Sequence, residues 1–272
     1  MRYLMRQPSE SITTTFLLMV LCLNAPLVVA EVKISGLEGK VKDNVRLMLS
    51  MEKLKCDAPE WKIRGLYAKA DQEIDEGLRA LGHYHGVVKK SLAFGKACWQ
   101  AVFTINPGPR TIVNDVNITI NGAAQVDPVF QSLRDSLLKS KGTPLDHGQY
   151  ERMKRRIESL ALERGYLKGK FTENKLLIDK NLNQAQIKLV FDAGKRMVFG
   201  TVVVNQDILN PDFVEKFISI KSGEFYTIEQ LVRTHNNLSQ SVYFDLVDVR
   251  PDTENDGYQV PVTINLRPKK RH

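Results

Sequence analysis

A helix that stops at glycine and turns into a strand recurs along this chain, and that repetition limits its possible folds more than any single motif does. Leu78, Arg79, Ala80, Leu81, Gly82, His83 and Tyr84 form one copy, and Leu162 to Leu167, with Gly165, form another. A third runs from Leu238 to Phe244, with Val242 at the glycine position. Gly82 and Gly165 are 83 residues apart, and Val242 follows 77 residues later. Glycine beyond the last helical turn adopts the left-handed conformation that lets the chain reverse. The aromatic that follows is expected to pack back on the helix. A second landmark is a strand that ends at glycine and a basic residue. Gly108 with Arg110 and Gly194 with Lys195 and Arg196 carry it, the two glycines lying 86 residues apart. Two landmarks advancing by one step indicate a tandem array.

Reading between the landmarks gives the repeated unit. Val32 and Ile34 alternate as in a short strand, and Val41, Val45 and Leu49 form a helical stripe. Pro59 stands near the start of a longer helix carrying Leu66, Ala70, Ile74, Leu78 and Leu81. Residues 87–94 and 99–105 then form a hairpin across Gly95, Lys96 and Ala97. The second unit repeats this order. It has a strand at 112–120, a helix opened by Pro128, a helix over 148–164, and a hairpin turning at Asn181, Leu182 and Asn183. In the third, a strand at 198–204 leads to a short helix at 214–218 and a helix at 228–239. Strands at 247–249 and 260–266 complete it, split by Asn255, Asp256 and Gly257. The expected fold class is α+β: three tandem βααββ units, each a three-stranded sheet covered by two helices. Their expected bounds are 31–109, 110–195 and 196–272. Each unit has about 80 residues, near the lower size limit for a self-sufficient core. No Gly/Ser or Pro linker separates them, so a semi-rigid array is expected.

The first 30 residues read as a secretory signal peptide. Arg2 and Arg6 precede an apolar run from Phe16 to Leu23, and Val28, Val29 and Ala30 precede the cut. A membrane anchor is the alternative, but the run is short and interrupted by Asn24 and Pro26. Cys22 follows Leu21 rather than the small residue that a lipoprotein site prefers. Cleavage would lower the net charge from +8 to +7. A mildly basic exported chain suits anionic lipid heads or acidic clients better than nucleic acid. In that compartment Cys56 and Cys98 can form a disulfide or remain two small buried thiols; spacing alone leaves both open.

The leader and the segments 78–84, 149–171 and 223–249, in that order, resemble the POTRA domains of the TamA branch of the BamA/TamA assembly-factor superfamily. The resemblance covers essentially the whole chain. It implies a non-enzymatic periplasmic scaffold at the inner face of the outer membrane, without cofactor or metal. Its implied partners are a TamB-like inner-membrane-anchored subunit, docking on the first unit, and unfolded outer-membrane or autotransporter proteins. POTRA scaffolds of two-partner secretion or of the BamA branch are the alternatives within the fold, and three units favour TamA. Relatives continue into a β-barrel. No barrel-length set of strands is present in these 272 residues, so barrel-gated insertion is not expected of this chain alone. Val242 departs from the expected glycine, since β-branched residues disfavour positive φ.

The resemblance places the binding edge on the first strand of each hairpin, where unpaired backbone groups can accept an extended client. The candidate residues are Val87, Val88 and Lys89; Phe171, Leu176 and Ile178; and Val247 and Val249. Lys89, Lys90, Lys170 and Lys175 could instead blunt these edges. Catalytic fingerprints such as G-x-S-x-G, H-E-x-x-H and the Walker loop do not occur, although a hydrolase of unrecognised type is a further alternative. His83, Tyr84 and His85 could suggest a metal, but two histidines without companion ligands read better as a polar corner. Arg152, Lys154, Arg155 and Arg156 form the densest basic cluster. Met153 and Ile157 are expected to face inward, leaving a solvated basic face with an anionic lipid surface as a possible partner.

Overall fold

The computed structural model describes residues 31–96, 98–207, 209–254 and 257–269. The expected leader with Cys22, Ala97 and Asn255–Asp256 of two expected turns, and residues 270–272 lie outside the described residues.

The first unit comprises β1 (Glu31–Ser35), α1 (Gly39–Met48), α2 (Glu60–Arg79), β2 (Val87–Phe94) and β3 (Trp99–Asn106). The second comprises β4 (Ile112–Asn121), α3 (Pro128–Leu138), α4 (His147–Glu163), β5 (Lys170–Asp179) and β6 (Gln184–Asp192). The third comprises β7 (Val198–Asn205), α5 (Pro211–Glu215), α6 (Ile228–Ser239), β8 (Phe244–Pro251) and β9 (Gln259–Pro268). The sheets have the orders β1-β3-β2, β4-β6-β5 and β7-β9-β8. In each, the last strand is central, parallel to the first and antiparallel to the second. A parallel pair needs a long crossover, and the two helices supply it.

Alternation on the central strands drives this packing. Trp99, Ala101, Phe103 and Ile105 point inward from β3; Ala185, Ile187, Leu189 and Phe191 do so from β6; Val260, Val262, Ile264 and Leu266 do so from β9. They meet the helices in three separate buried clusters, one for each sheet. The starts of α3, α4 and α6 follow capping chemistry. Asp127 accepts from Val129 N–H before α3, Asp146 from Gln149 before α4, and Thr227 from Gln230 before α6.

The third unit differs in detail from the sequence reading. Helix α5 is Pro211–Glu215 rather than 214–218, because Asn210 caps it and Pro211 takes the first position. Strand β8 begins at Phe244 rather than Val247, with a register shift after Phe244. Val242 is absent from the positive-φ residues, of which Asn183 alone is not glycine among the described residues. In α2 and α4 the chain closes with six-residue bonds, His83 N–H to Leu78 O and Tyr166 N–H to Ala161 O. After α6 the shorter bond from Ser241 N–H to Leu238 O serves instead.

Candidate protein-interaction surface

Each sheet has two rims, and they are not equivalent. On one side, in the second and third units, the loop between the two helices lies along the start of the first strand. Val113 and Thr143 bond through Val113 N–H (2.9 Å), and Gly142 N–H donates to Val113 O (2.7 Å). The third unit repeats this with Phe199 N–H to Glu224 O (2.8 Å) and Gly223 N–H to Phe199 O (2.8 Å). On the other side are β2, β5 and β8, each paired only with its central strand. Among the described residues, no bridge or backbone hydrogen bond reaches their outer flanks. Such a rim presents unpaired N–H and C=O groups at strand spacing.

Strand β2 is the most regular of the three. Its eight residues pair without interruption with β3, from Val87↔Asn106 to Phe94↔Trp99. Val87 and Lys89 lie on the exposed face, and Val88 packs on the first core. Lys90 points to the helix side instead. It pairs with Asp71 at 2.6 Å, bonds Tyr67 O and lies over the Tyr67 ring. Of the lysines read as edge blunters, Lys90 is therefore engaged with α2. On β5, Phe171 meets Phe191 edge-on at 5.2 Å, and Leu176 and Ile178 pack on the second core. A register shift between Phe171 and Glu173 interrupts this rim, and Glu173 holds Lys175 and Lys188 at 2.9 and 2.8 Å. Val247 and Val249 of β8 pack on the third core.

The connections between units repeat atom for atom, a feature that sequence reading missed. Thr111 N–H donates to Gly82 O and Met197 N–H to Gly165 O, both at 2.8 Å. Leu145 N–H then donates to Thr111 O (2.9 Å) and Tyr226 N–H to Met197 O (3.0 Å). Arg110 Nε reaches Leu81 O at 2.9 Å, and Arg196 Nε reaches Arg164 O at 2.7 Å. The helix ends of the first and second units are thus clasped by the residue before the next unit's first strand and by its interhelical loop. The residues after the glycines join in. Tyr84 packs against the second core and Leu167 against the third, whereas Tyr166 and Phe244 pack, as expected, into the cores of their own units. The spacing of Arg110 and Arg196 was the available signal, but their acceptors are carbonyls, which a sequence does not single out.

The His83, Tyr84 and His85 phrase belongs to this junction. His83 donates through Nδ1 to Gly108 O at 3.2 Å, and burial lowers its pKa. His85 Nε2 lies 2.8 Å from Lys180 O. Tyr84 Oη lies 2.6 Å from His147 Nε2, and burial pushes the phenol up to about 12. Among the described residues, no three His, Cys, Asp or Glu side chains are grouped to hold a metal ion. Cys56 and Cys98 are joined as a disulfide, with Cα atoms 4.7 Å apart.

Asp127 is the main buried carboxylate of the second unit. It accepts from Arg164 Nε (2.8 Å), Tyr166 O–H (3.2 Å) and Val129 N–H (3.0 Å). Burial alone would raise its pKa, but these hydrogen bonds and the Arg164 charge outweigh burial and lower it. A depressed carboxyl stabilises the fold fully above its unfolded value of about 4. That stability is lost as pH falls through the lower folded value. We therefore expect urea midpoints of the second unit to drop below pH 4, and Asp127→Asn to flatten this acid limb. At pH 7 the substitution is expected to cost about 2 kcal/mol, as for a charged hydrogen-bond acceptor. An unchanged acid limb in the variant would remove Asp127 as its source.

Three mixed sheets of this connectivity, each under its own helices, form a tandem array of βααββ units. Residues 31–107 match the family model described as POTRA domain TamA domain 1. Among solved structures, the chain is similar to POTRA domains 3–5 of BamA from Haemophilus influenzae. Identity is 17%, the match covers 88% of this chain and 95% of that one, and the TM-score is 0.45. It is also similar to POTRA domains 1–3 of the periplasmic domain of Omp85 from Anabaena, at 13% identity, 89% and 96% coverage and a TM-score of 0.36. CdiB from Escherichia coli matches at 11% identity over 60% of this chain and 28% of that one, with a TM-score of 0.35. Among the described residues, no helix is long and apolar enough to cross a membrane.

Proposed function

We propose that this chain is a periplasmic, non-enzymatic scaffold of a TamA-like outer-membrane assembly system. It takes extended partner and client segments onto the rims of β2, β5 and β8 as added strands. The observation that carries this reading is the asymmetry of the rims in the second and third units, where one side is occupied by loops, while among the described residues the outer flanks of β2, β5 and β8 have no backbone partner. Backbone pairing tolerates many side chains, which suits varied unfolded clients. The family-model match over the first unit supports the TamA-like assignment and a TamB-like partner on that unit. In this reading residues 1–30 are the leader, and the units span 31–109, 110–195 and 196–272. Val87, Val88, Lys89, Phe171, Leu176, Ile178, Val247 and Val249 are the contact residues, with β2 the strongest edge because its register is unbroken.

Hydrogen exchange tests this reading. A synthetic strand peptide of alternating apolar and polar residues is expected to slow amide exchange in 87–94, and to a smaller degree in 170–179 and 244–251. Paired prolines at Ser91 and Leu92 should abolish protection of β2 alone. Protection confined to β1, β4 and β7, or to the helices, would reject the bare rims as binding edges.

A further inference from the structure

The seam between the two helices differs among the units. In the first, α1 lies directly on α2: a Cβ at Gly77 would stand 3.0 Å from Val45 Cα, and Asn44 Nδ2 donates to Gly77 O at 2.7 Å. In the third, Asn237 Nδ2 donates to Phe217 O at 3.2 Å, and Ser219 N–H to Thr234 Oγ1 at 2.9 Å. The helix-end bonds align Leu78 with Ala161, so Leu160 occupies the Gly77 position in the second unit. A leucine there replaces a glycine that permits close approach. Among the described residues, no hydrogen bond joins α3 to α4 along their length; Asp127 and Arg164 tie only one end of the seam.

The result is an open trough of about 690 Å³ between α3 and α4. Val129, Leu133 and Leu160 supply apolar surface, and Ser132, Ser136 and Ser159 are the small residues that leave it open. Arg152, Arg155 and Arg156 line its α4 wall, with Glu163 towards one end. Arg152 lies 3.6 Å from Asp146. Arg155 and Arg156 have no ion pair or hydrogen bond among the described residues. Lys154 of the same cluster is turned away and pairs with Glu151 at 2.9 Å. Arginine and apolar surface in one groove match an occupant with both carboxylates and an apolar stripe. The eleven residues of α3 give the trough a length of about 16 Å, or three helical turns.

We propose that this trough is a docking site for an acidic amphipathic helical segment of a partner protein, laid as a third helix with its apolar stripe inward and its carboxylates on the three arginines. The site goes beyond the strand-addition reading and uses none of its rims.

The test uses a fluorescein-labelled helical peptide of 14 residues (an arbitrary probe length of about four turns), with leucines at one-face spacing and glutamates beside them. Binding to the full chain is read by anisotropy. Arg155→Glu with Arg156→Glu should weaken it at least ~10-fold, as lost charged pairs do. Ser132→Trp, which fills the trough without altering charge, should do the same. Lys62→Glu with Lys69→Glu, exposed on α2, should leave affinity within about two-fold, as for screened surface charge. Circular dichroism checks that each variant is folded. Absence of saturable binding, or equal loss in the α2 variant, would overturn the proposal. Phosphatidylglycerol vesicles binding where the peptide does not, with loss in Ser132→Trp, would assign the trough to lipid and also overturn it. The strand-peptide exchange assay on Arg155→Glu/Arg156→Glu should be unchanged, so the two readings fail separately.

Discussion

Gly165→Ala is expected to destabilise the contact between the second and third units by about 3 kcal/mol or more, the sum of left-handed strain and a backbone clash. Gly165 has φ +84°, and an added Cβ would stand 2.5 Å from Tyr226 O and 3.2 Å from Tyr226 Cβ. Its own carbonyl holds Met197 N–H, whose carbonyl holds Tyr226 N–H. Relief of the clash therefore has to move the loop or break that ladder. Gly142→Ala is the matched control. Its φ is +81° with nothing within 4 Å of the added carbon, so strain alone should cost about 1 kcal/mol after the gain from a stiffer unfolded chain. Hydrogen exchange at Met197 and Tyr226 reads the difference. Their amides should exchange on the order of 100-fold faster in Gly165→Ala and change little in Gly142→Ala. Equal effects of the two alanines would show that the glycine serves only its own turn. That outcome would remove the clasp from the account of how the units are joined.

Loss of the Cys56–Cys98 bridge is the second large effect expected. The cysteines are separated by 42 residues, and closing a loop of that length is worth about 4 kcal/mol in a chain-entropy model. A unit of this size has a total stability of roughly 4–11 kcal/mol at ordinary values per residue. Removing the bridge therefore takes away a large share of it. The bridge ties the approach to α2 to the residue before β3, beside Trp99, whose Nε1 donates to Lys55 O at 3.0 Å. Both tryptophans of the chain, Trp61 and Trp99, belong to the first unit. Tryptophan fluorescence in urea therefore follows that unit alone. Cys56→Ser with Cys98→Ser should move the fluorescence midpoint sharply down, and a reductant should do the same to the unaltered chain. Transitions in the other two units should stay where they were. An unshifted fluorescence midpoint would mean that the first unit draws its stability from its apolar core without help from the bridge. If the edge strand β2 carries partners, as proposed, reduction should also weaken binding there before it affects β5 or β8.

The repeat itself was legible because it rests on local physics. Gly82 and Gly165 both adopt positive φ at their helix ends, as the left-handed cap requires. The hairpin signal at 99–105 and the strands following the glycine-basic landmarks at 112–120 and 198–204 placed β3, β4 and β7 to within a residue at either end. Met153 and Ile157 are buried, as their helical spacing required. The third unit was read less well. Its short helix is set by the Asn210 cap and Pro211, and β8 gains its first residues from pairing with Arg267 and Pro268 at the far end of β9. Such pairing is nonlocal and leaves no periodic trace.

The arginine cluster shows the same division. Sequence spacing put Arg152 and Arg155 on an outward face, and both are exposed. It could not show that a trough lined by Leu160 and three serines would lie between α3 and α4, with that face as one wall. Tyr84 is a parallel case: an aromatic after a helix end invites packing on that helix, yet its ring lies against the next core and its hydroxyl against His147.

By itself the sequence determined where the chain turns, which faces of each element are apolar, and that one unit is used three times. Those properties follow from backbone sterics and from side-chain periods of two and 3.6 residues, which act within a few positions. Only the tertiary structure decided which rims stay bare, which carbonyls receive Arg110 and Arg196, and how wide the helix seam opens. Those depend on groups brought together from distant parts of the chain, chiefly backbone atoms that every residue carries alike.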